Sequence, residues 1–248
     1  MKINFYWFGD NFQFLNRLTL LSHLLVGHEP VIWLHGTRPD SIYWIDDIPE
    51  IEIRDANEIF DTTELIENGV DIRTTSDKFS YYLVKETGEY YADTDAIALL
   101  PWPDQEIVLA TYHPDVINVG VFRFPKNHPV LDVCIKTHIP TWGNVNVFTK
   151  VVREAGLDYN VPIDMFYPVH CGRNESTTMK CHGRILDPIE LPDGCVSYHY
   201  WSNKTHKVGI DHTWLEKPEL HENSLFKRLC KWVFDVAGYS MTNKEGKC

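Results

Sequence analysis

Short apolar runs alternate with longer helical rhythms along roughly the first 150 residues. INFYWF (3–8) is a β-rich run closed by Gly9-Asp10. NFQFLNRLTLLSHLLVG (11–27) carries apolar residues at 14, 15, 18, 21, 24 and 25, a spacing that predicts a helix stopped by Gly27. PVIWLHG (30–36) and IPEIEIRDA (48–56) read as the second and third strands. SDKFSYYLVKETG (76–88) sets Phe79, Tyr82 and Leu83 on one helical face, with Ser76 as N-cap and Gly88 as the stop. EYYADTD (89–95), EIVLATY (106–112) and VINVGVFRF (116–124) read as strands; HPVLDVCIKTH (128–138) and NVFTKVVREAG (146–156) read as helices. This alternation predicts an α/β sheet with crossover helices, one domain over residues 1–214 followed by a helical tail, 215–248. The last third, rich in His, Pro, Cys and Gly, is expected to wrap one edge of the sheet.

Within this pattern two carboxylates stand out. Asp93 and Asp95 interrupt an aromatic and apolar run, GEYYADTDAIALLP. A buried, unpaired carboxylate costs several kcal/mol or more, so the pair needs a cation or a hydrogen-bond network. On an extended strand residues i and i+2 share a face, which aims both side chains at one point. Hard oxygen ligands suit Mg²⁺ or Mn²⁺. A turn in which the aspartates cap the next segment is the alternative, and the three-residue pattern alone does not choose between them.

The surrounding order does. Ser76-Asp77, an amphipathic helix, Gly88, an aromatic strand, Asp93-Thr94-Asp95 and an apolar run to Pro101 together resemble the signature of the DXD sugar-transferase family. That family includes α-1,4-galactosyltransferases and the yeast initiating α-1,6-mannosyltransferases, and it is distantly similar to the clostridial glucosylating toxins. FYWFGD (5–10), LLVGHEPVIWLHG (24–36), INVGVFRFPKNHPVLDVCI (117–135), FYPV (166–169) and SYHYWSNKTHK (197–207) resemble further family segments in the same order. The resemblance implies a GT-A fold, a Rossmann-like nucleotide-sugar-binding architecture around a central mixed sheet. It also implies metal-dependent transfer of a sugar from a nucleotide donor with retention of configuration. Asp95 then holds the metal directly, and Asp93 holds it through water or contacts the donor. His199 is the candidate third ligand. Trp7 stacks on the uracil, Phe8 lies beside it, and Ser76 and Asp77 meet the donor sugar. Asn118 and Gly120 either line the donor or acceptor pocket or mark a bulge in their strand, and Trp201 and Asn203 close over the diphosphate. Two positions depart from the family: Ser80 stands where it usually has Arg, and Glu89 replaces the second glycine of its Gly-Gly.

Composition narrows the partners. The chain of 248 residues carries a net charge of -12, which disfavours a protein that grips bare nucleic acid through a dense Lys/Arg surface. A sugar transferase acting on a modified DNA base is thereby a weaker alternative to one using a UDP-sugar and a glycan or lipid-linked acceptor. A DxD phosphohydrolase is a second alternative, although Ile97 occupies the position where that motif has Thr or Val. A third is an inactive sugar-nucleotide-binding module. Six cysteines (134, 171, 181, 195, 230 and 248) form no CxxC pair, and Cys171, Cys181 and Cys195 with His170 and His182 fit no common zinc spacing. His113, His128, His138 and His170 read as surface or packing residues. MKINFYWFGD lacks a secretory apolar core and no 18-residue apolar run occurs, so a cytoplasmic protein is expected. LFKRLCKWVFDVAG (225–238) is amphipathic with a basic flank, suited either to a membrane surface or to packing on its own domain.

Overall fold

A computed structural model describes residues 1–36, 38, 40–113, 115–140, 143–157, 160–169, 188–201, 216 and 220–239. Its strands are β1 (Lys2–Trp7), β2 (Glu29–Leu34), β3 (Glu52–Asp55), β4 (Tyr90–Ala92), β5 (Ala96–Ala98), β6 (Val108–His113), β7 (Val116–Arg123), β8 (Asn160–Val161) and β9 (Ser197–His199). The α-helices are α1 (Phe14–Leu25), α2 (Thr63–Glu67), α3 (Ile72–Thr87), α4 (Pro129–Thr137), α5 (Asn144–Glu154), α6 (Ile163–Phe166) and α7 (Leu225–Ala237). The expected α/β class is the one observed.

Seven strands form one mixed sheet in the order β3-β2-β1-β4-β7-β6-β8. β1, β2, β3 and β4 run parallel, whereas β7 is antiparallel to both β4 and β6. The carboxyl ends of four neighbouring strands therefore open on one edge, where open α/β sheets collect their ligands. Strand periodicity sorts the core into two faces. Ile3, Phe5, Ile32 and Leu34 join the cluster beneath α1 and α7; Tyr6, Val31 and Trp33 join the cluster beneath α3, α4 and α5.

The tail helix α7 packs on its own domain. Its Phe234 stacks on Phe14 of α1 at 5.2 Å, and Leu225, Phe226, Leu229, Cys230 and Val233 are buried with it. Two of its basic residues are paired, Lys227 with Glu222 and Arg228 with Glu190, each at 2.8 Å. No described helix is long and apolar enough to cross a membrane.

Two local expectations need correction. α3 starts at Ile72 with Asp71 as its cap, accepting the Arg73 N–H. Ser76 is thus a residue of the second turn and not the N-cap, because an earlier aspartate satisfies the first free amides. Gly88 does end the helix, with φ 73°. A Cβ there would meet the Lys126 backbone nitrogen at 2.9 Å, so no other residue fits. The second correction concerns the acidic pair. β4 stops at Ala92, and the Ala96 N–H closes on the Asp93 carbonyl at 3.0 Å. Asp93 to Asp95 form a turn, so strand alternation is not what aligns their side chains.

Candidate metal centre

The turn between β4 and β5 is held from several sides. The Asp93 N–H donates to Gly120 O (2.8 Å), keeping the chain in register with β7 as it leaves β4. Asn16 Nδ2 donates to Thr94 O (3.3 Å) from the first turn of α1. Buried His23 of the same helix sets its Nε2 2.9 Å from Ala96 O. β5 then departs from the main sheet and pairs antiparallel with β9, placing Ala96 opposite His199.

This pairing brings the late segment to the acidic turn. His199 Nε2 lies 3.4 Å from Asp93 Oδ2 and 3.2 Å from Asp95 Oδ1. One ligand atom from each of the three residues lies within 4.8 Å of the others. The Trp201 N–H donates to His199 Nδ1 (3.2 Å) and the indole lies 4.6 Å from the imidazole; Nε2 therefore carries the ring proton toward the two carboxylates, and ligating an ion through Nε2 would move that proton to Nδ1 and break the Trp201 contact. Trp201 holds this place with φ 62°, a region that costs an ordinary residue about 1–3 kcal/mol. Its indole N–H donates to Val169 O (3.0 Å).

Tyr91 OH donates to Asp93 Oδ1 (3.2 Å), which leaves Ser76 Oγ, 2.7 Å away, as donor to the phenol. Gly120 makes the room. A Cβ at that position would sit 2.5 Å from Asp93 Oδ2 and 3.3 Å from His199 Nε2. The Gly120 N–H in turn donates to Asn118 Oδ1 (3.3 Å), in a stretch where the β6–β7 register shifts. Pocket lining and an irregular strand were alternatives for Asn118 and Gly120; the chain here is irregular, and Gly120 also abuts the acidic cluster.

Electrostatically the cluster is short of positive charge. Asp95 and His199 are buried, whereas the Asp93 side chain is 38% exposed. Burial pushes the Asp93 carboxyl above its ordinary value; the hydrogen bond and charge of His199 pull it back and Asp95 pushes it further up. Asp77 feels the same field. Burial holds it well above the ordinary carboxylate range, the charge of Asp93 adds to the rise, and a hydrogen bond from Asn144 works against it. One imidazole facing two carboxylates leaves the cluster net negative in either protonation state. Two carboxylate oxygens and an imidazole nitrogen, with one carboxylate open to solvent, fit Mn²⁺ or Mg²⁺, the nitrogen suiting Mn²⁺ better.

Other expected site residues fall around this centre. Trp7 ends β1, half-buried, its indole N–H tied to Gly9 O (2.9 Å) and its ring edge-on to Phe12. Phe8 is 37% exposed against the His35 ring. Ser80, where the family has Arg, is fully buried and donates to the Asp77 carbonyl (2.7 Å); Lys78 Nζ lies 5.6 Å from the Phe60 ring centroid. Asn203, His170, His182, Cys171 and Cys181 lie outside the described residues; Cys195 is buried and donates to Ser197 O. Among the remaining histidines, His113 is exposed, His128 caps α4 and His138 Nε2 reaches Thr74 O. Sequence reasoning missed Tyr91 as a partner of Asp93. An aromatic inside a strand carries no mark of its hydroxyl's target.

No protein-family model matches the chain, and no curated protein matches it either. Among solved structures it is similar to the PaToxG glycosyltransferase, at 17% identity over 63% of this chain and 70% of that one, with a TM-score of 0.49. It is also similar to the apo form of the glycosyltransferase GlyE of Streptococcus pneumoniae TIGR4, at 13% identity over 97% of this chain with a TM-score of 0.48. The match spans 60% of the length of GlyE.

Proposed function

We propose that the chain is a metal-dependent glycosyltransferase of the GT-A kind, moving a sugar with retention from a nucleotide donor, UDP favoured, to a glycan or lipid-linked acceptor. The observation that carries this is the convergence of Asp93, Asp95 and His199 at the carboxyl edge of the parallel strands, with Asp77 coupled to the same field. In this reading Asp95 and His199, buried and fixed by the β5–β9 ladder, hold the ion. Asp93, open to solvent and braced by Tyr91, completes its shell and meets the donor. A bound Mn²⁺ or Mg²⁺ supplies Lewis-acid neutralisation of the departing diphosphate. Trp7 and Phe8 receive the base, Asp77 receives a sugar hydroxyl, and Trp201 closes over the diphosphate. The free thiols of Cys134, Cys195 and Cys230 suit a reducing, cytoplasmic setting. With the apolar side of α7 already buried against α1, a lipid-linked acceptor would approach over the exposed Asp93 side and not through that helix.

Incubation with a panel of nucleotide sugars and Mn²⁺, following release of the nucleoside diphosphate, tests the reading. Asp95→Ala should abolish both the release and the Mn²⁺-dependent rise in melting temperature that donor binding produces. Turnover of simple phosphoesters without donor turnover would point instead to a phosphohydrolase. Stable donor binding without turnover, acceptors present, would point to a binding module.

A further inference from the structure

Phe8 and His35 are the first residues beyond the carboxyl ends of the neighbouring strands β1 and β2. The His35 N–H donates to Trp7 O at 3.1 Å, which extends the parallel pairing by one step, and the two rings lie 5.3 Å apart. Behind them runs a short chain of hydroxyls. His35 Nδ1 is 2.6 Å from Thr62 Oγ1, and that oxygen is 3.1 Å from the Tyr6 phenol. Thr62 and Tyr6 are buried, so their hydroxyl protons need acceptors. One arrangement supplies both: Tyr6 donates to Thr62, and Thr62 donates to Nδ1. Were Nδ1 the donor, either the tyrosine or the threonine proton would have no acceptor among the described residues. His35 is therefore the tautomer protonated at Nε2. Among the described residues nothing accepts from that Nε2–H. Asp61, whose charge reaches His35, accepts the Thr63 N–H at 2.9 Å instead.

We propose that His35 is a binding residue for the nucleotide base, its Nε2–H donating to a carbonyl oxygen of a uracil held against Phe8. This rests on the reading of Trp7 and Phe8 as the residues that receive the base. Phe8, 37% exposed, offers the ring with an apolar face. Half-buried His35 offers the polar group beside it. The buried Tyr6–Thr62 pair fixes the tautomer, so the free side of the imidazole presents a donor and no acceptor. A uracil carbonyl is an acceptor and satisfies it. Because the donor is set before the ligand arrives, binding loses little side-chain freedom there.

The test alters the contact from both sides. Affinities for UDP, 2-thio-UDP, 4-thio-UDP and inorganic diphosphate are measured with Mg²⁺ for the wild type and His35→Phe, which keeps a ring against Phe8 but has no N–H. His35→Phe should weaken UDP roughly threefold to tenfold, as loss of a neutral hydrogen bond does, and leave diphosphate within about twofold. Sulfur accepts poorly, so one of the two thio analogues should bind the wild type more weakly than UDP by a similar factor. His35→Phe should bind that analogue and UDP alike. Long-range ¹H–¹⁵N spectra of the wild type should show the His35 ring protonated at Nε2, with a signal that UDP moves and diphosphate does not. No loss for UDP, an equal loss for diphosphate, thio analogues that bind like UDP, or a ring protonated at Nδ1 would each overturn the assignment and leave the metal centre untouched. A wild type that binds diphosphate as tightly as UDP would also remove Trp7 and Phe8 as the base site, and one that binds neither would remove the metal-centre reading as well. Should His35→Phe fail to fold by circular dichroism, the spectra and the thio analogues decide the matter on the wild type alone.

Discussion

At the scale of single residues the acidic turn depends on an absent side chain. Gly120 sits where a methyl group would lie 2.5 Å from Asp93 Oδ2, and its φ is not of the kind that demands glycine. Space, not backbone strain, selects it. Gly120→Ala should therefore fold, at a cost of about 1–3 kcal/mol for the overpacked contact. The Asp93 side chain can swing toward solvent, which takes a ligand atom away from His199. Mn²⁺ affinity should fall roughly 10–100-fold, as when a supporting neighbour of a metal ligand is lost. Calorimetric Mn²⁺ titration beside a thermal melt separates the two effects; an unchanged Mn²⁺ affinity would count against Asp93 as part of the ligand set.

At the scale of elements, α7 shows how a tail becomes part of a core. Phe234→Ala removes a buried ring stacked on Phe14 and should destabilise the protein by about 3–5 kcal/mol in urea unfolding. Mn²⁺ affinity should not change, since α7 contributes nothing to the acidic cluster. Most strands and helices of the first 150 residues or so were legible because they carry their own periodicity and stop signal, Gly88 being the clearest, whereas the short α2 and β5 were not read. Where the cluster would form was legible from Asp93 and Asp95, but the reason given for their alignment was not the one observed. A turn replaces the strand, since Ala96 N–H bonds back to Asp93. The pairing of β5 with β9 had no local signal: it joins Ala96 to His199 across more than a hundred residues, and three-residue strands have too short a period to read. His199 was reachable only through the family resemblance.

At the scale of the whole molecule, groups held away from their ordinary protonation behaviour tie stability to pH. His23 and His28 lie together against Trp102, and burial lowers them to about 3 and about 4 from the ordinary 6.5. The unfolded chain therefore takes up protons that the folded one refuses. Stability from these two histidines is complete above pH 6.5 and is lost as pH falls toward 4, by about 1.4 kcal/mol per pH unit for each group. Asp77 and Asp93 act in the opposite sense: their raised folded values let the native state bind protons first, so their unfavourable charging fades as pH falls. The two effects overlap, and a bare stability curve would mix them. His28→Gln separates them, because it keeps an acceptor for the Trp102 N–H that His28 Nε2 now receives yet does not titrate. With a chelator present to exclude metal binding, this variant should lose less stability than the wild type between pH 6.5 and 4.5. The wild-type urea midpoint minus that of the variant should therefore fall steadily with acid. Parallel curves for the two proteins would mean that His28 is protonated in the fold, and that the packing around Trp102 does not exclude charge as its burial implies.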